Sequence, residues 1–269
     1  MQRSGPVLLN TDTIEVWPAP LLRARSSTDA RLLAQARWVL RRKQDGRYLA
    51  ALLAQGVHAL LPGLPREPGV AQALEALDRL PVRGVPATLE ARRLPLQGLE
   101  QRLQRLGLDA GRYAADTGLA LQAEPALLHF AGRDRFARPL WLRRPAALAW
   151  RRLRQHAARE GIALDAVSGY RSHDYQMAIF ERKRARGQTV AQITRVNAAP
   201  GFSEHHSGLA LDIGTPGDAP AEESFDATPA FAWLQQNAAA HGFSMSYPRD
   251  NPHGIVYEPW HWRWNRAAP

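Results

Sequence analysis

The chain has 269 residues, enough for one large domain or two small ones with a real core. It contains no cysteine, so disulfides and thiolate metal sites are excluded and any metal must be held by His, Asp or Glu. The net charge is +10, the excess lies in the first 150 residues, and no segment is long and apolar enough to span a membrane.

Residues 1–22 read as an irregular or extended arm, without an apolar run of signal-peptide length. Ser27 is placed to cap a helix from Thr28 to about Lys43, with Leu32, Leu33, Ala36, Trp38, Val39 and Leu40 as its apolar side. Asp45-Gly46 is a turn signal, and a second helix is expected from Arg47 to about Leu60. After a linker at 62–69, short helices are expected around 70–80 and 96–106, the latter stopped by Gly107. Residues 1–105 thus read as a helical, arginine-rich region. Its charge would suit an anionic polymer, but no nucleic-acid motif is present and aromatics are not interleaved with the basic residues. The reading is a solvated basic face on a helical bundle, with no nucleic-acid partner.

In the second half, 134–139 reads as a polar loop and 143–160 as a helix ended by Gly161, with His156 a packed or surface histidine. A strand at 162–167 leads into Ser168-Gly169-Tyr170-Arg171-Ser172. An arginine at a strand end, followed at once by a helix, can project into a cleft, where its planar fork suits a carboxylate or a developing oxyanion. A structural salt bridge, for instance to Glu204, is the alternative. Ser172 caps a helix running to about Arg186, with Gln176 in its first turn, and Thr189 starts a further helix to about Asn197.

The run Ser203 to Asp212 (SEHHSGLALD) places His205 and Asp212 seven positions apart. Read as a strand, Gly208, Ala210 and Asp212 share one face, and Leu209, Leu211 and Ile213 the other. His205 has the wrong parity for Asp212's face, so it must sit in the turn before the strand, with Gly208 easing the bend. Thr228-Pro229 starts a helix ending near His241-Gly242, strands are expected at 243–247 and 255–257, and His253 is loop structure. Glu258-Pro259-Trp260-His261 then supplies another carboxylate and imidazole, both aimed inward if Pro259 makes that strand irregular. His205, Asp212 and His261 can complete a three-ligand zinc site with one open position, which would leave Glu258 free to act as a base.

Together the decapeptide, the Glu-Pro-Trp-His and the Ser168–Ser172 stretch resemble VanY-type D-alanyl-D-alanine carboxypeptidases, zinc peptidases related to lysostaphin-type enzymes and the hedgehog domain. The resemblance runs from about Leu106 to Trp264. It implies an α+β fold with a small central antiparallel sheet and flanking helices, here with the N-terminal helical extension. It also implies one Zn2+ and a peptidoglycan stem peptide as substrate. By resemblance Arg171 stabilises the transition state, and Gln176, Ser203, Ser168 and Tyr170 line the substrate. His206 reads as a neighbour of the ligand shell or as surface, and His173 receives no role. Ser246 stands where relatives often carry arginine. The expected activity is release of the terminal D-Ala. L,D-carboxypeptidase, endopeptidase and a non-catalytic zinc-stabilised module are the alternatives on the same motifs. The family implies the cell envelope or periplasm; the lack of a visible signal peptide leaves a cytoplasmic site as the alternative.

Overall fold

A computed structural model describes residues 5–24, 26–81 and 84–265. The first residues of the expected arm and the last four residues of the chain lie outside these. The chain forms two compact units, Met1–Pro95 with Pro125–Phe130, and Leu96–Glu124 with Ala131–Pro269. Among the described residues, no helix is long and apolar enough to cross a membrane.

The first unit contains β1 (Val7–Asn10), β2 (Ile14–Pro18), α1 (Ser27–Gln35), β3 (Trp38–Arg42), β4 (Tyr48–Leu53), β5 (Gly56–Ala59), α2 (Val70–Asp78) and α3 (Ala87–Ala91). Its strands run in the order β5-β4-β3-β2-β1 and are antiparallel throughout. The expected helical region is therefore largely a sheet. The arm at 7–18 forms the inner pair β1 and β2, joined by a tight turn in which Thr11 Oγ1 donates to Ile14 O (2.8 Å) and accepts from Ile14 N (3.2 Å). The helix expected to reach Lys43 stops at Gln35 and is capped by Ser26, whose hydroxyl accepts from Asp29 N, not by Ser27. Trp38, Val39 and Leu40, whose bulk favours a pleated surface, pair instead with Pro18, Trp17 and Val16. Asp45-Gly46 turns a hairpin rather than two helices: Asp45 Oδ1 accepts from Arg47 N at 3.0 Å and Gly46 takes φ +69°. The supposed helix at 47–60 is β4 and β5. Leu8, Ile14, Val16, Leu40 and Leu49 are fully buried.

The second unit begins with α4 (Leu99–Arg105) and α5 (Ala110–Thr117). The chain then passes through β6 (Leu127–Arg133), whose first residues pair with β1 and whose last belong to the second unit, into β7 (Pro139–Leu142). There follow α6 (Arg144–Arg159), β8 (Asp165–Ser168), α7 (His173–Ala185), α8 (Val190–Thr194), β9 (Ala210–Gly214), α9 (Pro229–Asn237), β10 (Phe243–Met245) and β11 (His261–Trp264). The last four strands form a sheet in the order β10-β11-β9-β8, all antiparallel. The α+β class holds, with a small antiparallel sheet at the centre of this unit.

Parity decides what each face of that sheet carries. Leu211 and Ile213 of β9 are fully buried against Trp150 and Leu153 of α6 and Phe231 and Leu234 of α9. The alternate position, Asp212, points to the opposite face. A second cluster, Phe180 and Met177 of α7 with Leu99, Leu103 and Phe202, holds α7 in place. Residues 255–257 do not form the expected strand. Val256 N donates to Arg195 O at 2.9 Å and Glu258 N to Tyr247 O at 3.0 Å, so this segment spends its hydrogen bonds on loops.

Candidate metal centre and active-site cleft

β9 and β11 set two of the candidate ligands side by side. His261 is the antiparallel partner of Asp212, so both project from one face, and Ser168 of β8 flanks Asp212 after a bulge. His205 arrives from the preceding 3-10 turn, Glu204–Ser207, which ends on Gly208 at φ +66°, a conformation open to glycine without strain. Glu258 and His261 are the ends of a tight turn in which His261 N donates to Glu258 O at 3.1 Å and Pro259 supplies the fixed φ.

Each imidazole is held by its outer nitrogen. His205 Nδ1 sits 2.7 Å from Gly169 O, which turns Nε2 toward Asp212 Oδ1 at 3.3 Å. His261 Nε2 lies 2.9 Å from Glu204 Oε2, leaving Nδ1 3.2 Å from Asp212 Oδ1. The three inner atoms lie within 4.8 Å of one another, and all three residues are buried. Two imidazoles and one carboxylate without thiols, each anchored from behind, suit a zinc-type divalent cation. A Cβ on Gly169 would come within 2.6 Å of Leu140 and 3.0 Å of Trp141 O, so glycine is required where the backbone carbonyl must reach His205.

The electrostatics are those of a buried, charge-dense pocket. Burial alone would favour a neutral His261, but hydrogen bonds to Asp212 and Glu204 outweigh it and push the imidazole up to about 10 in the metal-free chain. Burial likewise opposes ionisation of Glu204, yet its bonds to His261, Ser246 and Arg263 bring it down to about 2. Asp212 is held below the usual carboxylate range by His205 and His261 against the same burial effect. Glu258 differs. Its Oε2 stands 3.8 Å from His261 Nδ1, and burial, reinforced by Asp212 and Glu204, pushes it up to about 7.

Arg171 reaches the same place from the end of β8. Its Nη1 donates to Gln176 Oε1 at 3.1 Å and its Nη2 to Ser168 Oγ at 3.3 Å, and Nη2 lies 3.7 Å from Asp212 Oδ2. It forms no pair with Glu204, which bonds His261, Ser246 (2.6 Å) and Arg263 (2.8 Å) instead. His205, Asp212, His261, Glu258, Arg171, Gln176 and Ser203 all line one cleft of about 300 Å³. Ser168 and Tyr170 do not line it. Ser168 supports the guanidinium, and the Tyr170 hydroxyl turns away to donate to Glu124.

Two contributors, Glu204 and Glu124, were not legible as such, and His206 was open between two readings. Glu204 orients His261, and its only sequence signal is its place beside His205. His206 is fully buried, not at the surface: its Nδ1 is 2.6 Å from Arg171 O, and Nε2 accepts from Gly201 N at 3.0 Å. Burial keeps it neutral, which fits one donor and one acceptor nitrogen. Glu124, from a segment with no motif, accepts from Tyr170 and from His173 N, so His173 also serves to fix this corner.

A sequence profile of VanY D-alanyl-D-alanine carboxypeptidases matches residues 139–267. The bifunctional D-Ala-D-Ala dipeptidase and D-Ala-D-Ala carboxypeptidase VanXYC of Enterococcus gallinarum is 33% identical over 132 residues, covering 46% of this chain and 67% of the relative. The chain belongs to the VanY D-alanyl-D-alanine carboxypeptidase family. YodJ of Bacillus subtilis (strain 168) is 40% identical to this VanY-family chain over 129 residues, 46% of each protein, so the match spans less than half of that relative. The structure of the LdcB LD-carboxypeptidase is 37% identical over 46% of this chain and 59% of that one, with a TM-score of 0.44.

Proposed function

We propose that this VanY-family chain is a zinc-dependent carboxypeptidase that removes the terminal D-Ala of peptidoglycan stem peptides. The observation that carries the reading is the meeting, in one cleft, of a buried His-Asp-His set, a carboxylate raised to about 7 and an arginine held by two polar side chains.

Zinc held by His205, Asp212 and His261 would supply a Lewis acid that polarises the scissile carbonyl and acidifies water. The chain's own groups do the rest. Glu258 sits close to neutrality in its protonation, so it can take the proton of the attacking water and pass it to the departing amine. Arg171 offers N–H groups to the carbonyl oxygen as negative charge builds there, a contribution of roughly 3–4 kcal/mol for a well-placed donor. Gln176 and Ser168 hold the guanidinium in place, and Gln176 is itself fixed by donating to Ala198 O at 2.9 Å. Ser203 lines the cleft beside His205, where a hydroxyl can meet the peptide.

The test is mass spectrometry of a stem pentapeptide ending in D-Ala-D-Ala after incubation with the zinc-loaded protein. Loss of one alanine, abolished by a chelator and restored by zinc, is the expected result. An intact pentapeptide alongside a cleaved tetrapeptide would replace the reading by an L,D-carboxypeptidase. No cleavage of either by zinc-loaded protein would overturn a carboxypeptidase function.

A further inference from the structure

The cleft has a cation that the proposed chemistry does not use. Lys183, on α7, lines the same cleft as Arg171 and Glu258. Gln176 and Lys183 are seven residues apart, which is close to two helical turns, so they share a face of α7. Met177 and Phe180 of the same helix are buried in the core, which holds α7 in place. Gln176 holds Arg171 at the reaction end, and at ~1.5 Å rise per residue Lys183 stands about 10 Å further along the helix.

The carboxylates that line this cleft are Asp212 and Glu258. The cleft lining also includes Val196, Asn197, Ala198, Ile255 and Val256, none of them charged. Among the described residues, no carboxylate pairs with the Lys183 amine. Asp174 on the same helix is occupied by Arg102, and the carboxylates of the cleft, Asp212 and Glu258, belong to the metal end. Partial burial already works against the charge, with no acidic neighbour offsetting it. A cation on the wall of a substrate cleft, with no carboxylate partner among the described residues, is arranged to take an anion from the ligand.

Resting on the carboxypeptidase reading, we infer that Lys183 is a specificity-determining residue that binds a free carboxylate on the second or third residue of the acyl side of the peptide. The length sets the position. An extended chain advances ~3.3–3.6 Å per residue, so about 10 Å is three residues, or two and a side chain. The terminal carboxylate of the leaving residue lies within one residue of the scissile bond, roughly 3.5 Å, short of this separation, so the carboxylate assigned to Lys183 lies on the acyl side. The substrate class is then an acidic stem peptide, with a carboxylate-bearing diamino acid or a free α-carboxylate at a γ-linked glutamate.

The experiment uses zinc-loaded full-length protein in the Glu258→Gln background, so that binding is read without turnover. Four pentapeptides ending in D-Ala-D-Ala are titrated: lysine or diaminopimelate at the third position, each with the γ-linked glutamate at the second position free or amidated. In each pair the peptides differ by one carboxylate. We expect at least one such carboxylate to improve affinity about tenfold, Lys183→Met to erase that preference, and Lys183→Glu to reverse it. A tenfold effect is what a charge-assisted hydrogen bond commonly provides. No carboxylate preference, or one that Lys183→Met leaves intact, overturns the inference. Turnover by protein with Glu258 intact is scored separately: a charge preference without D-Ala release faults the carboxypeptidase reading, and D-Ala release without a charge preference faults only the role of Lys183.

Discussion

Replacing Glu258 with glutamine keeps the shape of the side chain and removes its ability to accept a proton. In the metal-free chain burial holds this carboxyl at about 7 against an ordinary 4.5. At ~1.4 kcal/mol for each tenfold in a protonation equilibrium, that displacement corresponds to about 3 kcal/mol. Between these two values the folded chain keeps a proton that the unfolded chain has released. Stability therefore falls as pH rises through this window and stays lowered above it. Glutamine never ionises and escapes the loss. By urea unfolding of chelated protein, Glu258→Gln should be more stable than the parent by up to about 3 kcal/mol near pH 8, and the two should coincide near pH 4. In the zinc-loaded protein the same change should lower kcat for D-Ala release by about 10²- to 10⁴-fold, with zinc content retained. Equal stability of the two chelated proteins near pH 8, or turnover at the parental rate, would refute the reasoning.

Three further outcomes follow from the supports behind the site. Glu204→Gln keeps an acceptor for His261 but removes its charge, so zinc affinity should drop about 10- to 100-fold in a competition titration with a chromogenic chelator; unchanged affinity would mean that Glu204 serves only Arg263 and Ser246. His206→Ala leaves Arg171 O and Gly201 N without their buried partner and should cost roughly 1–3 kcal/mol in chemical denaturation. If it also lowers kcat while KM stays constant, His206 positions Arg171. Gly169→Ala drives a methyl against Leu140 and Trp141 O and should cost about 1–3 kcal/mol. It should also weaken zinc binding, because His205 Nδ1 depends on Gly169 O, and a variant with normal stability and zinc affinity would show that the loop can yield.

The candidate site was legible because its information is local. Asp212 and His205 lie in one ten-residue run, and parity alone sends Leu211 and Ile213 to the core and Asp212 to the other face. Glu258 and His261 are three apart around a proline, and a tight turn brings both into the cleft. Two helix caps of this unit read equally well: Ser172 accepts from Tyr175 N and Thr228 from Phe231 N, both over the short range a side chain can sense.

The N-terminal unit shows the opposite case. The apolar residues between Leu32 and Leu40 satisfy a helical pattern, yet only the stretch to Gln35 is helical, because Trp38, Val39 and Leu40 gain more by pairing with β2 than by continuing the turn. Those partners are 20 to 24 residues away, and a window along the chain does not contain them. The supports of the site are also long-range. Glu204 meets His261 across 57 positions, and Glu124 meets Tyr170 across 46. Sequence by itself determined which groups are candidates to bind a metal and move a proton, since that is a property of side-chain type and nearest-neighbour geometry. Only the tertiary structure decided which carboxylate braces His261, which is raised toward neutrality, and which cation of the cleft has no carboxylate partner among the described residues. Burial and through-space charge set those differences, and both depend on residues distant in the chain.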